Sequence, residues 1–460
     1  MAISLQGFIP QVASLIQQNV LERVFHDNLY PRLLYRGEAM PEKWVANLGE
    51  VMLFTRTGLL DVNTTPLTPG TEPTPKTYAI EQWRAECNQY GDTIDTHMPT
   101  SRTGLAPKVI KDTQQLGLNA GQTLNRLVRN RLFRAYTGGN TVAIEQANSG
   151  TNQIHVANIN GFTEALLNGQ PVTVNAGAPI GVTFGGTASA NNVVSAVADN
   201  AALPFGPGII TLENNLDANV AAREAVLADN RSFIYRVGGG NRVDEIGATD
   251  TLKLEDIIAA VKRLQSQDVP PHVDGRYHCH LSPTAIAQLY TDEGWQRLFT
   301  ALPDSVAYRD LALGELAQCY HYQNTESPNS QNSGTLSSSG SSTAQSSSDI
   351  GAEVTTNTNS QAVGRAIITG GGAIYEKYVD EGEFLSEAGV TGKLGKFDVV
   401  NGGVQVMTER IRLIMRAPLD RLQQVISQSW SFSGDWPVPS DGLVGDSARF
   451  KRAIIIEYAE

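Results

Sequence analysis

Val12, Leu15, Ile16 and Val20 recur at helical spacing, and Val24 and Phe25 continue the stripe. This predicts a helix that stops before Pro31, within an N-terminal arm over residues 1–47. Such a stripe needs an apolar surface to lie on, from the same chain or a neighbour. The pattern then changes period. Val51, Leu53 and Thr55 alternate with Met52, Phe54 and Arg56, which is a strand signature, and a second strand is expected over 78–95. Between the two lies Thr64 to Thr77, with four prolines in fourteen residues. Proline lacks the N–H donor, so this stretch forms neither a helix nor a central strand. Residues 48–98 therefore read as a hairpin with an extended tip. A tip of this length cannot bury itself; it is either a mobile surface loop or an arm laid across a partner.

Residues 108–137 carry the longest helical pattern, with Leu124, Val128 and Leu132 at four-residue steps and Gly138-Gly139 as its end. Arg126, Arg129, Arg131 and Arg134 crowd its C-terminal half, where positive charge complements the helix dipole. A solvated or interface face is the simpler reading of these arginines, and a phosphate-binding face the alternative. This helix dominates a segment over 99–149.

Composition then shifts. Residues 146–212 hold two charged side chains, Glu164 and Asp199, among Gly, Ala, Asn, Val and Thr. Short strand patterns such as 171–175 and 180–184 alternate with turns, so 150–245 reads as an inserted β-rich subdomain, a small barrel or a sandwich. Residues 246–396 return to α/β character. Leu254, Ile257, Ile258, Val261 and Leu264 mark a helix capped by Asp250 or Thr251, 276–281 a strand, and Ser282-Pro283 the start of a further helix. Eleven uncharged serines between 327 and 348 mark a low-complexity loop within 325–362. Residues 397–460 are β-rich: 404–416 and 425–432 alternate, and the closing 449–458 run is a strand tied into a sheet.

Charge and cysteine usage narrow the function. The 460 residues carry a net charge of −12, which disfavours a dedicated nucleic-acid binder. No apolar run approaches the ~20 residues of a membrane span. Met1-Ala-Ile-Ser lacks the features of a secretory leader, so none is expected. Cys87, Cys279 and Cys319 are widely spaced and form no CxxC, which fits a reducing compartment. No nucleophile elbow, HExxH, P-loop or dinucleotide fingerprint occurs. His278 and His280 share a strand face and could be two zinc ligands, with Cys319 and His321 nearby in sequence. Strand histidines packed or exposed without metal are the simpler reading. Asp380, Glu381, Glu383 and Glu387 fit neither an EF-hand nor a catalytic carboxylate pair. No catalytic residue, cofactor or metal is assigned, and no enzyme is expected.

The order of parts resembles the major capsid proteins of tailed bacteriophages, whose fold is known from phage Hong Kong 97. The segments Gly49-Glu-Val-Met-Leu-Phe-Thr-Arg, Thr65-Pro-Leu-Thr-Pro-Gly-Thr-Glu-Pro and Asn88-Gln-Tyr-Gly-Asp-Thr-Ile-Asp resemble the extended-loop signature of one branch. Tyr277-His-Cys-His-Leu-Ser-Pro with Trp295 resembles the central strand and helix of the axial domain. The resemblance implies an α+β Hong Kong 97-type fold: N-terminal arm, extended β-hairpin loop, spine helix, axial α/β domain and an inserted β-rich subdomain. It implies that Pro66, Leu67, Thr68, Pro69, Gly70, Glu72 and Pro73 lie over a neighbouring subunit. It places 397–460 in the peripheral domain with the spine helix. The subunit would assemble with itself into pentamers and hexamers and enclose double-stranded DNA, touched non-specifically by inner-face Arg126, Arg129 and Arg134. Scaffold, decoration and portal proteins are the further partners it implies, with no membrane. The location would be the virion capsid, after assembly in the bacterial host cytoplasm. A tail-tube or surface-layer subunit, and a hydrolase using His278 and His280, are the competing readings.

Overall fold

The computed structural model describes residues 10–44, 51–57, 62–66, 70, 72–78, 80–97, 105–167, 170–198, 207–240, 242–300, 315–316, 318–327, 363–380, 392–394, 397–400, 403–416, 418, 421–422, 424–439 and 451–460. The chain opens with helices α1 (Pro10–Gln17) and α2 (Val20–Leu29) and strands β1 (Ala39–Lys43), β2 (Val51–Thr57), β3 (Ile80–Glu86) and β4 (Asn88–His97). Helix α3 (Leu105–Thr137) follows. Next come β5 (Asn140–Val142), β6 (Gln153–Val156), β7 (Glu164–Leu167), β8 (Gln170–Thr173), β9 (Ile180–Phe184), β10 (Asn191–Ala198), β11 (Gly208–Leu212), β12 (Ala225–Ala228) and β13 (Ile234–Arg236). A mixed stretch contains α4 (Leu254–Ser266), β14 (Tyr277–Leu281), α5 (Pro283–Thr291), α6 (Glu293–Thr300), β15 (Glu315–Leu316), β16 (Cys319–Gln323) and β17 (Val363–Thr369). The chain ends with β18 (Ile374–Tyr378), β19 (Gly392–Leu394), β20 (Phe397–Val400), β21 (Gly403–Thr408), β22 (Ile411–Arg416), β23 (Val425–Asp435) and β24 (Ala453–Ala459). The architecture is α+β, in two compact units.

The first unit takes Met1–Met52, Arg84–Val128 and Tyr375–Pro437. Its sheet runs β1-β18-β23-β22-β21-β20-β19, with β4 also on β23. Strand β23 is the hub: Ile426, Gln428, Trp430 and Phe432 are all buried, as their alternation predicts. Polar groups fix α3 on this sheet. Thr113 Oγ1 lies 2.7 Å from Gln428 Oε1, Trp430 Nε1 donates to Asn119 Oδ1 at 2.9 Å, and Thr96 Oγ1 donates to Asp112. Buried polar groups need such partners, so each pair also fixes register. Helix α2 crosses α3 where Gly117 removes the side chain. A Cβ there would stand 2.8 Å from the Phe25 carbonyl oxygen.

The second unit takes Leu53–Trp83, Arg129–Ile374 and Val438–Glu460. The low-charge segment is a closed antiparallel barrel. Its strands run β5-β12-β9-β10-β11-β6. Ala143 then pairs with Val156, and Ile144 N donates to His155 O at 2.8 Å, joining the last strand to the first. Closure leaves no sheet edge to aggregate. Ile154, Val156, Phe162, Val193, Ile210 and Val226 fill its core. The barrel strands span 140–228 and start directly after α3. Its two ends lie side by side: Ser232 N donates to Gly138 O at 2.9 Å and Ala228 N to Gly139 O at 2.8 Å.

The unit's other sheet runs β13-β24-β17-β14-β16-β15. Residues of 397–460 fall in both units. Strand β24 pairs with β17 and β13 and lies in the second unit, while β19 to β23 lie in the first. All seven β24 residues are buried, as a strand covered on both faces requires, and its Ile-Ile-Ile run suits that place. The expected single helix after Ser282 is two, α5 and α6, separated at Asp292, whose carboxylate accepts from the Leu254 N–H at 3.1 Å. Ser282 is the cap foreseen, accepting from Ala285 N at 3.1 Å. For α4 the cap is Lys253 rather than Asp250 or Thr251, and Ile258 faces outward at 48% exposure. The expected 404–416 strand is the hairpin β21–β22, reversing at Glu409-Arg410.

Candidate assembly surfaces

Strands β2 and β3 form a two-stranded ribbon of their own. The second expected strand is broken: β3 pairs with β2, and β4 beyond Cys87 joins the eight-stranded sheet. Phe54 stacks on Trp83, with centroids 5.9 Å apart, and Gln82 Nε2 donates to Thr55 Oγ1 at 3.1 Å. Other apolar residues of the ribbon and tip face outward: Leu53 at 57%, Ile80 at 47%, Tyr78 at 52% and Val62 at 86% exposure. Of the residues implied to contact a neighbour, Pro66, Gly70, Glu72 and Pro73 are exposed, and Gly70 has a φ of +88°. Leu67, Thr68 and Pro69 lie outside the described residues. Two strands alone are marginal in water, so a ribbon with exposed apolar groups has surface to bury elsewhere.

The arginines of α3 do not form one equivalent set. Arg129 is buried. Its Nε and Nη2 donate to Asn130 Oδ1 at 3.0 and 2.8 Å, and its Nη1 donates to Glu326 O at 3.1 Å. It ties the helix to its own unit and does not offer an open charge to phosphate. Arg126 and Arg134 are half-buried. The C-terminal carbonyls of α3 are capped by side chains from distant segments. Lys451 Nζ donates to Ala135 O at 2.8 Å, Ser232 Oγ donates to the same oxygen at 3.0 Å, and Asn160 Nδ2 donates to Arg134 O.

Two buried carboxylates, each between two guanidiniums, were not singled out by the sequence reading. Glu376 accepts from Arg36 Nε and Nη2 at 2.8 and 2.7 Å and from Arg410 Nε at 2.8 Å. Glu457 accepts from Arg236 Nε at 2.9 Å and Arg365 Nε at 3.1 Å. Burial pushes both carboxyls up, but the adjacent arginines outweigh it and hold each below its ordinary value. The available signal was a lone charge inside an apolar strand, as in Ile-Ile-Ile-Glu-Tyr at 454–458.

The β14–β16 register does not bring His278, His280, Cys319 and His321 onto one face. Parallel pairing sets Cys279 opposite His321 and His280 opposite Tyr322. His278 and His280 therefore share a face with Tyr320 and Tyr322, while Cys319 and His321 share the other with Cys279. Both imidazoles pack on the Tyr322 ring, at 5.3 and 5.4 Å between centroids. His278 Nε2 pairs with Asp274 Oδ2 at 2.7 Å. Cys279 and Cys319 are core residues; burial pushes the Cys279 thiol well up and the Cys319 thiol to about 12, so neither is a ready thiolate. Of the acidic run, Asp380 lies 3.9 Å from Lys43 Nζ, and 381–387 lie outside the described residues. Among the described residues no helix is long and apolar enough to cross a membrane.

Solved structures similar to this chain are phage shells. The capsid of Ralstonia phage GP4 aligns over 92% of this chain and 90% of its own, at 14% identity and a TM-score of 0.45. The capsid asymmetric unit of cyanophage Pam1 aligns over 95% and 93%, at 9% identity and a TM-score of 0.48. The acid-stable capsid of Helicobacter pylori bacteriophage KHP30 aligns over 91% and 87%, at 9% identity and a TM-score of 0.46. No family model and no curated protein matches the chain.

Proposed function

We propose that this chain is the major capsid protein of a tailed bacteriophage, assembling through pentamers and hexamers into the icosahedral shell around a double-stranded DNA genome. The observation that carries the reading is the β2–β3 ribbon with its outward-facing Leu53, Tyr78 and Ile80 and its exposed proline-rich tip. A ribbon of this kind buries its apolar groups against a copy of the same chain, and many such repeated contacts sum to a stable shell. The helical arm, the β2–β3 ribbon and the 33-residue α3, which follow one another along the chain, support the reading. Scaffold, decoration and portal proteins are further proposed partners, and the virion, after assembly in the host cytoplasm, is the proposed location. DNA contact is assigned to the half-buried Arg126 and Arg134 and no longer to Arg129, which is buried.

Electron microscopy of the purified protein, alone and with the products of neighbouring genes, tests the reading. Closed icosahedral shells are expected, and they are lost when Leu53, Tyr78 and Ile80 are changed to Ser. A small monodisperse species that never forms shells overturns it. Shells of an Arg126→Ala/Arg134→Ala variant that package DNA like the parent remove the DNA assignment alone.

A further inference from the structure

The β21–β22 hairpin turns through two residues, and neither is glycine. Glu409 has φ +49° and Arg410 φ +64°, so both occupy the left-handed region that a two-residue hairpin turn of this hand demands. Asn-Gly adopts it cheaply; a long side chain with a Cβ does not. The strain is opposed by groups from elsewhere in the first unit. Arg36 Nη2 donates to the Glu409 carbonyl oxygen at 2.8 Å, and the same guanidinium grips Glu376 with two bonds. Glu376 in turn holds Arg410. His26 Nε2 of α2 lies 3.7 Å from Glu409 Oε1, and the Arg410 guanidinium lies over Tyr378. Arg36 sits between the arm helix α2 and β1, in the segment that roots the N-terminal arm on the sheet.

We propose that the Glu409-Arg410 turn is a conformational latch that couples the N-terminal arm to the β21–β22 hairpin. With the arm root docked, Arg36 holds the turn in its left-handed form. When the root lifts, the Glu409 carbonyl loses its donor, Glu376 loses one of its two guanidiniums, and the turn relaxes. Arm and hairpin then open together as one unit rather than fraying separately. The half-exposed His26–Glu409 pair adds little, so Arg36 is the link. The latch is a property of the folded chain and stands whether or not the chain forms shells.

Hydrogen exchange of the full chain tests it, comparing peptides over 30–44 with those over 404–416. Equal protection is expected in the two regions. Arg36→Lys, which keeps the charge but loses the two-pronged grip, is expected to speed exchange in both by tenfold or more. Glu409→Asn, which tolerates the left-handed region, is expected to slow both by about fivefold and to recover part of the Arg36→Lys loss. Faster exchange over 30–44 with 404–416 unchanged overturns the proposal. So does a Glu409→Asn variant that leaves both regions as they were.

Discussion

Glu376 and Glu457 are buried and each sits between two guanidiniums, so their charge state is tied to the folded chain. Both carboxyls lie below their ordinary value of 4.5. A depressed carboxyl stabilises the fold fully above its unfolded value, and that contribution is lost as pH falls through the folded one. The thermal midpoint is therefore expected to be insensitive to these groups at neutral pH and to fall below about pH 4. Glu457→Gln leaves Arg236 and Arg365 buried around a neutral amide. It should cost about 3–5 kcal/mol at pH 7, read by urea denaturation, and flatten the acid limb of the midpoint curve. A variant as stable as the parent would mean that the two arginines find water on their own. At the same scale, Gly364 leaves room for the Tyr458 ring, whose hydroxyl lies 2.7 Å from Ser282 Oγ, so one missing side chain lets β24 anchor the cap of α5.

Among elements, the crossing of α2 over α3 leaves no room for a side chain at Gly117. Gly117→Ala would place a methyl 2.8 Å from a backbone carbonyl that has no rotamer to yield. It is expected to cost about 1–3 kcal/mol by urea denaturation and to raise exchange in α2 more than in α3. Equal stability would show that the arm helix shifts without loss. These crossings also mark what the sequence could reveal. Periodicity located α3 to within three residues of its start, because 3.6-residue spacing and the Gly138-Gly139 stop are local signals. It also identified the buried row of β23 and the Ser282 cap. It missed the turn at Glu409-Arg410, since neither residue is a usual turn former and the contacts that permit them come from Arg36 and Glu376, hundreds of positions away or at another strand. The burial of Arg129 is not legible for a related reason. Its place on an arginine-rich helix suggested an open face, while its partner at Glu326 is set by folding, not by spacing. The histidine pair was placed on one face, as it is, but only the β14–β16 register shows that Cys319 and His321 belong to the other.

For the whole molecule, the division of 397–460 between the two units is the least local fact of the fold. Alternation tells that a segment is a strand and says nothing about which sheet receives it, so the place of β24 beside β17 and β13 is not legible in its own residues. The barrel is the opposite case. Its low charge set it apart in the sequence, and in the structure it closes on itself with its own core. A fragment spanning 138–232 is expected to fold alone as a monomer with a single cooperative melt, measured by circular dichroism; an unfolded fragment would show that the core needs the rest of its unit. The barrel leaves and re-enters the chain through two strands of backbone that are hydrogen-bonded to each other at Gly138 and Ser232. Whatever hangs from that neck, the remainder of the chain sees the same two peptide groups at the same spacing. Residues 139 and 231 thus behave as a socket, into which a module of another size or purpose could be spliced without redesigning the molecule that carries it.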